Sequence, residues 1–147
     1  MENLECPSEE LWDKRRRWFQ ATEEKAQGKG NYLVSEQACA LTIEVQTAFC
    51  AGAWAGVIIL AMAVVDAALR ETEIPGFAGS TKKLIELTSA DPRLQKMRKR
   101  RNALVHIDPE NPALTVDQQW IERDELETEA REAVKLMFEA FFISPSV

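Results

Sequence analysis

The sequence predicts an all-α protein, an up-and-down helical bundle, and three observations support this class. Only six glycines and six prolines occur among the 147 residues, which disfavours a turn-rich, multi-stranded fold. Alanine, leucine, glutamate, arginine and lysine dominate the long segments, and all five are strong helix formers. Apolar residues recur at spacings of three and four, as they do on the buried face of a helix.

Six helices are predicted, and most of their ends coincide with a capping residue, a glycine or a proline. The third is apolar all round, as the central helix of a bundle should be. Residues 1–34 are interpreted as an added N-terminal helix and 35–147 as a bundle with a four-helix core and a short extra helix, together one compact domain. The approximate helix ranges are 8–27, 35–50, 53–71, 80–88, 92–106 and 124–142.

One apolar stretch raises the alternative of a membrane-associated protein. Residues 48–65 are an unbroken run of 18 apolar or glycine residues, which reaches the lower limit for a membrane-spanning helix. Much of the run is alanine and glycine, and Asp66 ends it without a basic flank. We therefore predict a buried bundle helix and no membrane insertion.

Charge and cysteine content limit the classes of function. The net charge is −6, so binding of nucleic acid requires a local basic patch. Cys6, Cys39 and Cys50 lack C-x-x-C spacing and only one histidine is present, so we expect no metal site and no cofactor. Free thiols and an N-terminus unlike a signal peptide predict a cytoplasmic protein.

The fifth predicted helix places one arginine where a core residue is expected. On a helical projection Arg101 lies within the apolar stripe, whereas most of the basic run 96–101 lies on the opposite face. Asn102 and His106 are four residues apart and share a face. Asp66 is the only charged residue between Glu44 and Arg70, and its carboxylate requires a cationic partner. We expect Arg101 to be that partner, through a bidentate contact.

Arg101, Asn102 and His106, near the end of a late helix, resemble the R-x(4–6)-H motif of HEPN domains. The resemblance covers roughly residues 35–142. Residues 51–55 and 64–70 are similar to the family's central helix, which often has an acidic residue near the place of Asp66. The apolar spacing of the closing helix, 124–142, also fits.

The resemblance implies a metal-independent endoribonuclease fold that dimerises so that two motifs face one cleft. Many members are toxins, RNA-targeting defence components or partners of a minimal nucleotidyltransferase, and others are non-catalytic. The expected catalytic residues are Arg101, Asn102 and His106, with Asp66 as a supporting carboxylate. Arg98, Lys99 and Arg100 are expected to hold the RNA backbone.

The chemistry of RNA cleavage requires two groups that transfer protons. Histidine suits both the base and the acid role because its pKa lies near neutrality, and arginine suits the phosphate. One histidine per chain supplies only one of two proton transfers, so a homodimer is expected.

Structural interpretations stay open beside this hypothesis. His106 can be a capping or surface residue, Arg101 and Asp66 can form a structural ion pair, and the basic run can be a solvated face. The alternative function is a non-catalytic helical module that binds a nucleotide, RNA or a protein partner.

Overall fold

A computed structural model describes residues 3–146, and most of this part of the chain is helical. Residues 3–146 form seven α-helices, with a single π-helical turn, Leu69–Glu73, directly after the third. Apart from an isolated bridge between Tyr32 and Pro145, no β-structure is formed in the described residues. The helices are α1 (Glu9–Gln27), α2 (Glu36–Ala51), α3 (Trp54–Ala68), α4 (Thr81–Leu87), α5 (Arg93–Val105), α6 (Val116–Ile121) and α7 (Arg123–Phe141).

The bundle is organised around α3, which contacts α2, α5 and α7. Nine of its 15 residues are buried, because a helix that is apolar all round must be covered on every side. The all-α bundle prediction is confirmed. Within residues 3–146 no helix is long and apolar enough to cross a membrane.

Two local features differ from the sequence prediction. Helix α6 was not predicted, because it has six residues and none of them is buried. A capping box at its start, with Thr115 as N-cap and Gln118 three residues later, is the signal that marks it. The predicted third helix ends in the π turn rather than as a regular α-helix, and this changes how its last residues face the bundle.

The N-terminal helix α1 shares the core of the bundle. It packs on α2 and α7, and its Phe19 is 1% exposed. The Phe19 ring lies 5.9 Å from that of Phe49 on α2 and 5.2 Å from that of Phe138 on α7, measured between centroids. The segment interpreted as an addition therefore contributes to the same hydrophobic core as the rest.

The corner between α2 and α3 is fixed by two arginines. Gly52 takes a left-handed conformation, with φ of 77°, where α2 ends. Arg15 from α1 donates to the carbonyl of Cys50 at 3.1 Å, and Arg123 from α7 donates to that of Gly52 at 2.6 Å. Both guanidinium groups also lie over the Trp54 ring, at 4.8 and 5.5 Å from its centroid. Through these two arginines, α1 and α7 both contact the corner between α2 and α3.

We predict that Gly52→Ala destabilises the fold more than Gly76→Ala. Both glycines have positive φ, 77° and 80°, so both substitutions cost about 1–2 kcal/mol in backbone strain. A Cβ at position 52 would also lie 3.0 Å from Arg15 and 3.2 Å from Arg123, whereas position 76 has nothing within 4 Å. Urea denaturation should show an extra loss of about 1 kcal/mol for Gly52→Ala. Equal losses in the two variants would mean that the arginine contacts contribute nothing.

Candidate functional site

A polar pocket of about 340 Å³ lies between α2, α3, the π turn, α4 and α5. It brings together two residues singled out by the sequence, Asp66 and Arg101. Four further polar residues, from three other segments, complete its wall. The lining residues are Gln37, Ala63, Asp66, Ala67, Arg70, Glu71, Thr81 and Arg101.

Asp66 is held by Arg70 and Thr81. Arg70, four residues further along the helix, binds the carboxylate with two nitrogens, at 2.8 Å (Nε to Oδ2) and 3.0 Å (Nη2 to Oδ1). The Thr81 hydroxyl donates to Oδ1 at 2.7 Å. Arg70 also donates to the carbonyl of Phe77 at 2.9 Å, which fixes the loop before α4. The expected bidentate contact between Asp66 and Arg101 is therefore wrong, and Arg70 takes that place.

The Asp66 carboxyl has a pKa below its ordinary value. Burial raises this pKa, but the hydrogen bonds from Arg70 and Thr81 and the charges of Arg70 and Arg101 outweigh burial. The group is ionised at neutral pH and is a weak base there. Asp66 therefore suits a structural and electrostatic role rather than proton transfer.

Arg101 reaches the same pocket from α5 and is held there by its neighbour. Its Nε donates to the side-chain oxygen of Asn102 at 2.9 Å, and both residues are half-buried. No carboxylate lies within 4.0 Å of its guanidinium in residues 3–146. The terminal nitrogens of Arg101 are therefore available to a ligand, while Asn102 orients the group.

His106 does not line this pocket. It is the C-cap of α5, in an extended conformation, and its backbone N–H donates to the carbonyl of Asn102 at 2.9 Å. Its side chain is exposed. Within one chain, the structure brings together Arg101, Asn102 and Asp66 but leaves His106 at the open end of the helix.

The three remaining basic candidates have different surroundings. Arg98 donates to the side chain of Gln95 at 2.9 Å, and Lys99 is exposed. Arg100 forms an ion pair with Glu129 of α7 at 2.7 Å and donates to a loop carbonyl at residue 113. A role in RNA binding stays a prediction for all three, and for Arg100 it requires breaking the link to α7.

A larger cavity of about 760 Å³ lies between α5 and α7. Its lining is mainly apolar and includes two ion pairs, Arg93–Glu132 at 2.8 Å and Arg100–Glu129 at 2.7 Å. Of the residues predicted from sequence it contains only Arg100. We take the polar pocket as the candidate site because it contains Asp66 and Arg101, which the sequence predicts, and because the pKa of Asp66 is shifted there.

Sequence reasoning missed Gln37, Arg70, Glu71 and Thr81. The spacing of four between Asp66 and Arg70 on one helix was the available signal for the ion pair. No local pattern identifies Gln37 or Glu71, because their proximity depends on how α2 packs beside the end of α3. In the described part of the chain no group of three or more possible ligand side chains is placed to hold a metal ion.

Comparison with protein-family models, with curated proteins and with solved structures finds no match for this chain. Membership of the HEPN superfamily therefore stays a prediction from the motif.

We predict that Asp66→Asn lowers the free energy of unfolding by about 1–3 kcal/mol at neutral pH, because Arg70 loses a half-buried, doubly bonded partner. The folded-state pKa of Asp66 is lowered, so its stabilisation is present above its unfolded pKa and is lost as the pH falls through its folded pKa. The wild-type advantage over Asp66→Asn should therefore shrink as the pH falls below the unfolded pKa of Asp66.

The matched control is Asp13→Asn. It breaks another Asp–Arg pair within one helix, with Arg16 at 3.1 Å, but on a half-exposed surface. We expect a loss below about 1 kcal/mol. Chemical denaturation between pH 7 and pH 3 measures both variants, and an Asp66→Asn loss independent of pH would contradict the prediction.

Proposed function

We propose that this chain is a HEPN-type endoribonuclease that cleaves RNA without a metal ion, as a homodimer in which Arg101, Asn102 and His106 share a cleft. The observation that carries the proposal is the state of Arg101. Arg101 is a half-buried residue, and its guanidinium is oriented by Asn102 and has no carboxylate partner in residues 3–146. An arginine in this state can donate two parallel hydrogen bonds to the oxygens of a phosphate.

Metal-free cleavage requires two proton transfers. A base takes the proton of the 2′-hydroxyl, and its oxygen attacks the adjacent phosphorus. The bond from phosphorus to the 5′-oxygen breaks, and an acid protonates that oxygen. The products are a 2′,3′-cyclic phosphate and a 5′-hydroxyl. Histidine suits both transfers near neutral pH, and the lowered pKa of Asp66 makes that carboxylate a poor substitute.

A dimer follows from the histidine count. The chain has one histidine, His106, and its side chain is exposed at the end of α5. Two copies related by a two-fold axis near this end supply two imidazoles to one cleft, one as base and one as acid. Each copy also contributes one Arg101 for the charge on the phosphate.

We predict that Arg101→Ala and His106→Ala each reduce RNA cleavage by about 100-fold or more, while EDTA leaves the wild-type rate unchanged. The loss of Arg101 removes phosphate binding, and the loss of His106 removes proton transfer. Cleavage of a fluorescently labelled RNA by the purified protein measures the rates.

The control is Lys135→Ala, which removes a positive charge from an exposed position of α7 outside the polar pocket. Its rate should equal that of the wild type, and circular dichroism should show the same helix content in all variants. Undiminished cleavage by His106→Ala would reject the proposal.

The shared cleft makes a separate prediction for mixed dimers. If a dimer needs both histidines, subunit exchange with a roughly ninefold excess of His106→Ala should lower the activity per wild-type subunit by about tenfold. A monomeric enzyme would keep its activity per wild-type subunit. The same mixture with Lys135→Ala in place of His106→Ala should show no loss.

The second candidate is a non-catalytic helical module that binds a nucleotide, RNA or a protein. It is favoured by the position of His106, which is exposed and does not line the pocket that holds Arg101. Binding that survives His106→Ala, with no RNA cleaved, would select it. A role as a toxin or defence component, with an antitoxin or nucleotidyltransferase partner, belongs to the ribonuclease proposal and depends on it.

A further inference from the structure

The polar groups of the pocket fall into two sets. Arg70 and Thr81 both hydrogen-bond to Asp66, and these bonds stabilise the fold. Gln37 and Glu71 are exposed residues at the rim and have no side-chain hydrogen bond to any residue in 3–146, and Arg101 has only the bond from its Nε to Asn102. The first set already has its hydrogen-bond partners within the protein, whereas the second set can bind a ligand.

The three available groups come from different sides of the cavity. Gln37 belongs to the first turn of α2, Glu71 to the π turn and Arg101 to α5. Turns of π-helix are rare and are frequently found at functional sites. The volume of about 340 Å³ is near the lower end for ligand pockets, which suits a group the size of one nucleobase.

We propose that this pocket binds a guanine base of single-stranded RNA, with Glu71 as the residue that selects it. Guanine presents two adjacent donors, N1–H and the 2-amino group, and a carboxylate accepts both in a bidentate contact. Adenine, cytosine and uracil each place an acceptor beside their donor on this edge, and that acceptor would repel the carboxylate. Recognition of splayed-out bases by their Watson–Crick edge is the usual mode for single-stranded RNA.

The other two groups fit the same ligand. The side-chain amide of Gln37 supplies a donor for the guanine O6, and Arg101 binds a phosphate next to the base. The inference rests on the proposed function only for the identity of the ligand as RNA. It assigns Gln37 and Glu71 to specificity, not to the cleavage step.

Binding of RNA that cannot be cleaved tests this inference apart from catalysis. Trinucleotides with 2′-O-methyl groups lack the attacking hydroxyl, and their central base can be guanine, adenine, cytosine or uracil. We expect the wild-type protein to bind the guanine trinucleotide about tenfold or more tightly than the other three. Glu71→Gln should reduce the guanine-to-adenine affinity ratio by about tenfold, because an amide offers one acceptor and one donor.

The guanine-to-adenine affinity ratio separates base recognition from the effect of charge on the overall affinity for RNA. Glu71→Gln also removes a negative charge and can raise the affinity for all four RNAs, but this leaves their ratio unchanged. Glu44→Gln is the matched control, since Glu44 is also an exposed carboxylate but lies on α2 outside the pocket. It should keep the wild-type ratio.

Each possible result of these measurements either supports or overturns the inference. Equal affinities for the four bases, an unchanged ratio in Glu71→Gln, or no binding of any trinucleotide would overturn it. Guanine-selective binding without cleavage of ordinary RNA would support the pocket assignment and reject the ribonuclease. Cleavage without base preference would support the ribonuclease and reject the guanine pocket.

Discussion

Burial of α3 is the constraint on which the rest of the structure depends. Its surface is apolar on all sides, so α2, α5 and α7 must each cover a part of it, and α1 completes the core against α2 and α7. The one charged residue within α3, Asp66, lies near its C-terminal end, where a polar environment can be built without breaking the core. Arg70 and Thr81 supply this environment, and with it the loop that leads into α4 is fixed.

The pairing of Asp66 with Arg70 has a consequence for function. Because Arg70 neutralises the Asp66 carboxylate, Arg101 forms no direct salt bridge in the described residues. Asn102 fixes the guanidinium without neutralising it. The proposed phosphate binding requires a positively charged group of this kind, because the net charge of the protein is −6.

The position of His106 and the position of Arg101 require different explanations. Arg101 lies on the side of α5 that faces α3, whereas His106 is the residue at which α5 ends. A single chain therefore separates the residue proposed to bind phosphate from the residue proposed to transfer protons. The ribonuclease proposal joins them through a second copy, and the binding-module alternative leaves them separate. The guanine pocket is compatible with both, because it depends on Gln37, Glu71 and Arg101 alone.

The sequence by itself determined the all-α class and most helix ends, since these follow from local spacing and caps: Ser8, Ser35 and Ser80 each accept the hydrogen bond of an N-cap. It also determined that Arg101 faces the bundle, because one helical period fixes that direction. The partner of Asp66 was decided by geometry. Arg70 reaches it within one helical turn, whereas Arg101 must cross the spacing between two packed helices. The proximity of Gln37 and Glu71 was decided only by tertiary packing, because these residues are far apart in the chain and no local pattern connects them.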